Sequence, residues 1–226
     1  MKEQWCIPPD GSGEFVWKME DVLEVYKRPH DPQRPVVALD EKPVQLLGDT
    51  RDPILAKPGE LAKQDHEYKR NGTANIFCAF EPLGNWRRLT VTQRRTKLDF
   101  ATFVKELIDT RYKHAVKVVL VMDNLNTHTP ASLYDAFPPE EARRLIEKLE
   151  IHYTPKHGSW LNVAEIELSA VGRRMRKRMN DGAELARHIA AVESDRNAAA
   201  RGLDWRFTTD EARIKLKRLY PSIEER

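Results

Sequence analysis

"VVLVMDNLNTHTP", residues 118–130, is an apolar run that stops on an acid, and "PVVALDEKP", residues 35–43, repeats the pattern. Short apolar, β-branched runs bounded by turn residues read as buried strands. Open α/β sheets place their ligand sites at the carboxyl ends of such strands. Asp40 and Asp123 therefore each fall where a strand ends, and the two could share one crevice. After a single strand an aspartate more often only starts a turn; two strands ending in the same way weaken that reading.

Outward from these runs, "ANIFCAFEPL" (74–83) and "WRRLTVT" (86–92) are strands separated by a turn at Gly84-Asn85, and with 35–40 they predict an antiparallel meander. A helix over about 97–112, a strand over 116–122, a helix over about 139–149 and a short strand over 150–155 follow. Helices over roughly 161–178, 182–199 and 209–219 close the chain. Before Pro35, a helical "VWKMEDVLEVYK" with Trp17, Val22, Leu23 and Tyr26 apolar lies between Pro/Gly-rich stretches and reads as a tether to something upstream. The class is mixed α/β with a helical C-terminal end.

The chain's 226 residues are ample for one buried core. With 32% charged residues, no membrane-spanning apolar run and no signal-like opening, they point to a soluble, cytoplasmic protein. Cys6 and Cys78 stand far apart, which supports neither a disulfide framework nor a cysteine zinc site. The formal net charge of +3 conceals dense charges of both signs, so local clusters must make any case for nucleic acid.

A third acid is available in "GSWLNVAEIELSAVGRRMRKRM", where Glu165 and Glu167 both lie in the first turns of a helix. They diverge by about 160° around the axis, on opposite shoulders of the apolar stripe, so helix geometry leaves the choice open.

At these residues the chain resembles a known family. "LDEKP", "MDNLNTHTP" and "HYTPKHGSWLNVAEIEL" are similar to the three catalytic blocks of DDE transposases in the insertion-sequence 630 branch of the mariner superfamily, over about Trp5 to Pro221. The resemblance implies an RNase H-like fold, a mixed five-stranded sheet flanked by helices with a C-terminal helical extension. It places Asp40, Asp123 and Glu165 in the catalytic, metal-binding positions, with "LN, two residues, E" selecting Glu165 over Glu167. It further implies two Mg²⁺ ions, with Mn²⁺ as substitute, and cleavage followed by transfer of DNA strands. The implied partners are DNA (transposon ends and target) and a second copy of the chain when bound to DNA, with no membrane and a nucleoid-associated location. The 42 residues from Asp123 to Glu165 exceed the usual spacing, suggesting an insertion around "FPPEEARRLIEKLE". The expected organisation is a linker and helix over 1–34 and a catalytic domain over 35–226, without the helix-turn-helix such transposases carry upstream.

The chemistry suits these residue types. Phosphodiester cleavage needs an activated water and a stabilised leaving oxygen, which paired divalent ions supply, and carboxylates are hard ligands for Mg²⁺. Three gathered acids repel, so at least one should hold its proton more tightly than usual. Glu41 should point to the opposite strand face from Asp40 and is a poor ligand. Lys42 is placed to face phosphate, His157 to touch DNA, and His128 to orient phosphate or an acid of the site or to cap the strand. Zinc ligation by His152 and His157 lacks partners. Arg94 and Arg95, with Arg173, Arg176 and Lys177, are candidate backbone contacts within the runs "EYKRNGT", "WRRLTVTQRRTK" and "GRRMRKRM", against the reading that a charge run is a solvated face. Trp86 and Trp160 could stack on bases or fill the core. Three other functions remain open at this stage: a nuclease that only hydrolyses, a non-catalytic DNA-binding remnant, and one half of a transposase made from two reading frames.

Overall fold

The alternation of residues along 35–43 gives the sheet two buried faces. The computed structural model describes residues 11–52, 54, 56–61, 63, 65–175 and 177–221. Its strands are β1 (Val36–Asp49), β2 (Tyr68–Glu81), β3 (Trp86–Thr92), β4 (Val118–Met122) and β5 (Leu149–Tyr153), in the order β3-β2-β1-β4-β5. The first three form the expected antiparallel meander, while β4 lies parallel to both β1 and β5.

Successive side chains point to opposite faces. Val37, Leu39, Phe77, Leu120 and Met122 pack against helices α2 (Lys97–Asp109), α3 (Ala131–Ala136) and α4 (Pro139–Glu147). Ala38, Ile76, Cys78, Val119 and Val121 pack against α1 (Gly13–Tyr26), α5 (Val163–Arg174), α6 (Gly182–Ala198) and α7 (Thr209–Lys215). The result is a helix–sheet–helix sandwich. Among the described residues no helix is long and apolar enough to cross a membrane.

Two segments differ from the sequence expectation. The N-terminal helix is a layer of the domain rather than a tether: Phe15, Met19, Val22, Leu23 and Tyr26 are buried at helical spacing, and the Tyr26 hydroxyl accepts a hydrogen bond from the Val163 N–H at 3.3 Å. Trp17, counted with the apolar stripe, is 66% exposed. Strand β1, expected to end at Asp40, continues for nine residues to Asp49 and pairs with an equally long β2. Pairing of β1 with β4 stops at Ala38↔Val121, so among the described residues no strand pairs with that edge of β1 beyond Asp40, and Pro43, lacking an N–H, can sit within the strand. The β2 stretch Tyr68–Thr73 is exposed and polar, which is why no apolar run announced this hairpin arm.

Candidate functional site

Sheet register brings the two aspartates together. The pairs Val36↔Val119 and Ala38↔Val121, carried two residues further, set Asp40 beside Asp123, on neighbouring strands about 4.8 Å apart. Both continue the face of Ala38 and Val121, which is the face covered by α5. Asp40 is thus not a strand-terminal residue; it stands where its parallel neighbour ends.

Helix α5 is fastened to that spot by its cap. The buried Asn162 side chain accepts from the Ala164 N–H at 3.1 Å and donates to the Leu39 carbonyl at 3.0 Å, joining the helix start to the residue before Asp40. Glu165, in the first turn and half-buried, acts electrostatically on Asp40, as does Asp123. Asp40 is pushed up to about 7, by burial first and by the charges of Asp123, Glu165 and Glu41 after it, against the Glu41 N–H that its Oδ1 accepts at 2.8 Å. A raised proton affinity was expected from repulsion; burial contributes more.

The other shoulder of α5 is closed off. Glu167 is 2% exposed, receives both Arg196 Nε and Nη2 at 2.5 and 2.6 Å, and lies 3.1 Å from Arg87 Nε. The two shoulders of α5 are thus placed differently: Glu165 acts electrostatically on Asp40, and Glu167 is enclosed by guanidinium groups.

Asp123 has a further neighbour. Its Oδ1 lies 2.5 Å from His128 Nδ1, and His128 Nε2 lies 3.0 Å from Glu41 Oε2. The ring is fully buried, stacked at 4.9 Å on Phe100, and Tyr153 donates to the His128 carbonyl at 2.9 Å. Burial works against a charged ring here, yet the hydrogen bond to Asp123 and the Glu41 carboxylate outweigh it and raise His128 to about 9. A residue so enclosed does not reach DNA, which corrects the expectation of a backbone contact; it reaches an acid, the other role considered for it. Glu41 does point away from the face of Asp40, as alternation requires.

The remaining candidates divide. Lys42 follows Asp40 on the same face, and its ammonium lies over Gly172 of α5, where an added Cβ would stand 3.0 Å from Nζ. Lys42, Arg173 and Lys177 line one groove, with Arg173 and Lys177 exposed. Arg176 lies outside the described residues. His157, exposed and at φ 63°, shares a cleft with Asp123, Asn124 and Lys156. Arg94 and Arg95 are exposed just beyond β3, which ends beside the strand level of Pro43. Other members of the basic runs are occupied: Arg87 is buried, Arg88 pairs with Glu106 and Glu193, and Arg178 pairs with Asp49. Trp86 packs edge-on against Tyr112 and Trp160 against Phe207, so both fill structure. Sequence reading gave no role to Asn162 and rejected Glu41; the signal for Asn162 was an N-cap residue at the head of an apolar-periodic helix.

Asp40, Asp123 and Glu165 offer the hard oxygen donors that Mg²⁺ or Mn²⁺ takes. Among the described residues no group of three or more His, Cys, Asp or Glu side chains is drawn tightly enough together to hold an ion.

Comparison with known proteins agrees with this architecture. The sequence model of a family described as DDE superfamily endonuclease matches residues 35–186. A search of curated proteins finds no match. Among solved structures, the Mos1 mariner paired end complex with Mn has TM-score 0.55 and 15% identity, covering 88% of this chain and 62% of that one. The Mos1 strand transfer complex has TM-score 0.55 and 14% identity, covering 88% and 61%. The mariner Mos1 paired end complex with Mg has TM-score 0.53 and 15% identity, covering 98% and 67%. The chain thus spans about 62% of the length of the first of these. The shared fold is the RNase H-like α/β fold.

Proposed function

The chain belongs to the DDE superfamily endonucleases, and from that premise we propose that it is a transposase catalytic domain of the insertion-sequence 630 type that cleaves DNA strands and joins the freed 3′ ends to target DNA. The observation that carries this reading is the convergence of Asp40, Asp123 and Glu165 from β1, the end of β4 and the start of α5, close enough for the latter two to raise the proton affinity of the first. The Mos1 complexes with Mn and with Mg support a divalent ion as cofactor.

In this assignment Asp40, Asp123 and Glu165 would together hold two divalent ions. Bound ions would activate the attacking water or 3′ hydroxyl and take up charge on the departing oxygen. The protein's own part is to hold the acids in place: register fixes the aspartates, and the Asn162 cap fixes the helix that carries Glu165. Lys42, Arg173 and Lys177 in one groove, with His157 in the neighbouring cleft and Arg94 and Arg95 beyond β3, would hold the phosphodiester backbone across the acids. A second copy of the chain would hold the second transposon end.

The test supplies a pre-cut end carrying a 3′ hydroxyl together with target DNA and Mg²⁺ or Mn²⁺. Joined product is expected. Asp40→Asn, Asp123→Asn and Glu165→Gln should each lose cleavage and joining by roughly a thousandfold or more, the size of several kcal/mol of transition-state stabilisation, with the fold retained. Hydrolysis without joining would replace the proposal with a hydrolysis-only nuclease. Full activity of Glu165→Gln would remove that residue from the site.

A further inference from the structure

Two buried groups beside the site take no part in the chemistry proposed above. The Glu41 side chain is 2% exposed and that of His128 fully buried. Among the described residues neither Glu41 oxygen has a hydrogen bond, nor does His128 Nε2, although Nε2 and Oε2 face each other at 3.0 Å. The contact is therefore a charge pair rather than an aligned hydrogen bond. Burying a carboxylate without hydrogen bonds is costly unless a countercharge faces it, and His128 is the ion-pair partner Glu41 has among the described residues. A core that needed only packing would be served as well by two apolar residues.

What the pair does is visible on the other side of the ring. His128 Nδ1 meets Asp123 Oδ1 at 2.5 Å, so a line of three groups, Glu41, His128 and Asp123, runs from one face of the sheet over the end of β4 to the other. With a carboxylate against each nitrogen, the ring is held at both ends. Phe100 packs against its face at 4.9 Å, and Tyr153 donates to the His128 carbonyl. We propose that Glu41 and His128 are positioning residues that tie one oxygen of Asp123 and present the other to the cleft, so that Asp123 offers a single oxygen in a fixed direction.

Groups that hold a metal-binding side chain from behind are worth about 10–100-fold in metal affinity. As a statement about metal this rests on the proposed function; as a statement about Asp123 it stands on geometry alone, and the experiment separates the two.

In metal-free wild type, proton NMR should show a histidine ring N–H far downfield of the backbone amides, lost in Asp123→Asn and shifted in Glu41→Gln. Mn²⁺ titration should then give affinities about 10–100-fold weaker for Glu41→Gln and His128→Gln, with the double variant no weaker than His128→Gln alone. If His128→Gln fails to fold, Glu41→Gln still decides. An absent resonance, or a Glu41→Gln protein with wild-type resonance and wild-type Mn²⁺ affinity, would overturn the proposal. If Asp40→Asn binds Mn²⁺ as wild type does, the metal reading falls and the resonance alone decides: present and sensitive to Glu41 sustains the relay, absent overturns it.

Discussion

Glu165 and Glu167 are the same residue type on the same turn of α5, and the protein treats them in opposite ways. Glu167 is enclosed with Arg196 in bidentate contact and Arg87 at 3.1 Å; Arg87 in turn donates to the carbonyls of Arg196 and Arg201, locking α5, α6 and β3 together. Glu165 is left half-exposed toward two acids of its own sign. One shoulder of the helix spends charge on stability, while the other withholds pairing and keeps an unrelieved field that a cation or a substrate can use. Stability and function should therefore separate across about half a turn of helix.

The largest effect that could break this comparison is on stability. Removing one partner of a buried ion cluster leaves uncompensated charge and costs about 3–5 kcal/mol. Glu167→Ala should lose that much in chemical denaturation, whereas Glu165→Gln should be neutral or slightly stabilising. Equal losses would mean that both acids serve the fold.

The contrast also shows what the sequence could and could not disclose. The end of β4 at Asp123, the meander, and α6 over 182–198 against an expected 182–199 were legible because apolar period and turn residues are local signals, whereas the end expected at Asp40 was not a strand end. Helix geometry did not distinguish Glu165 from Glu167, a choice only the family resemblance made, because their surroundings depend on where Arg87 and Arg196 arrive from other elements, and a charge run does not announce which members are buried. The contact of His128 with Glu41 was hidden for the same reason: a ring's surroundings are set by several separate segments. The tether reading of α1 failed because its polar face, with Trp17 exposed on it, masked a buried one carrying Phe15 and Met19. The hairpin arm Tyr68–Thr73 went unread because a strand exposed on both faces has no buried face to impose an alternation.

A smaller test acts through pH. Asp40 is raised from its ordinary value to about 7, so the folded protein holds a proton there that the unfolded chain releases. The associated stability is full below the ordinary aspartate range and is lost as pH rises through about 7. Between pH 6 and 8 the metal-free protein should lose about 1.4 kcal/mol from this group. His128, raised to about 9, works in the same direction over this window. The loss should therefore shrink by that amount in Asp40→Asn rather than vanish. Acids held low, such as Glu150 at about 2, matter only in more acidic solution. Thermal melts at the two pH values in chelator measure it, and an Asp40→Asn protein with the wild-type pH dependence would show that Asp40 is not the strained group.

The smallest effect falls on DNA binding and carries the comparison from the acids to the bases around them. On the Glu167 side the arginines are consumed: Arg87 and Arg196 are both held by the buried carboxylate. On the Glu165 side Arg173 is exposed and lines the groove with Lys42. An exposed cation that meets one phosphate contributes about −0.9 to the slope of log affinity against log salt. Arg173→Ala should flatten that slope by roughly one unit and weaken binding about equally on element-end and scrambled duplexes, with little change in stability. Arg143→Ala, on α4 across the sheet and paired with Glu147, should leave the slope unchanged. Competition binding at several salt concentrations decides the matter. If Arg143 and Arg173 proved interchangeable, the binding would be diffuse charge attraction, and the groove beside Glu165 would have no special claim to the DNA.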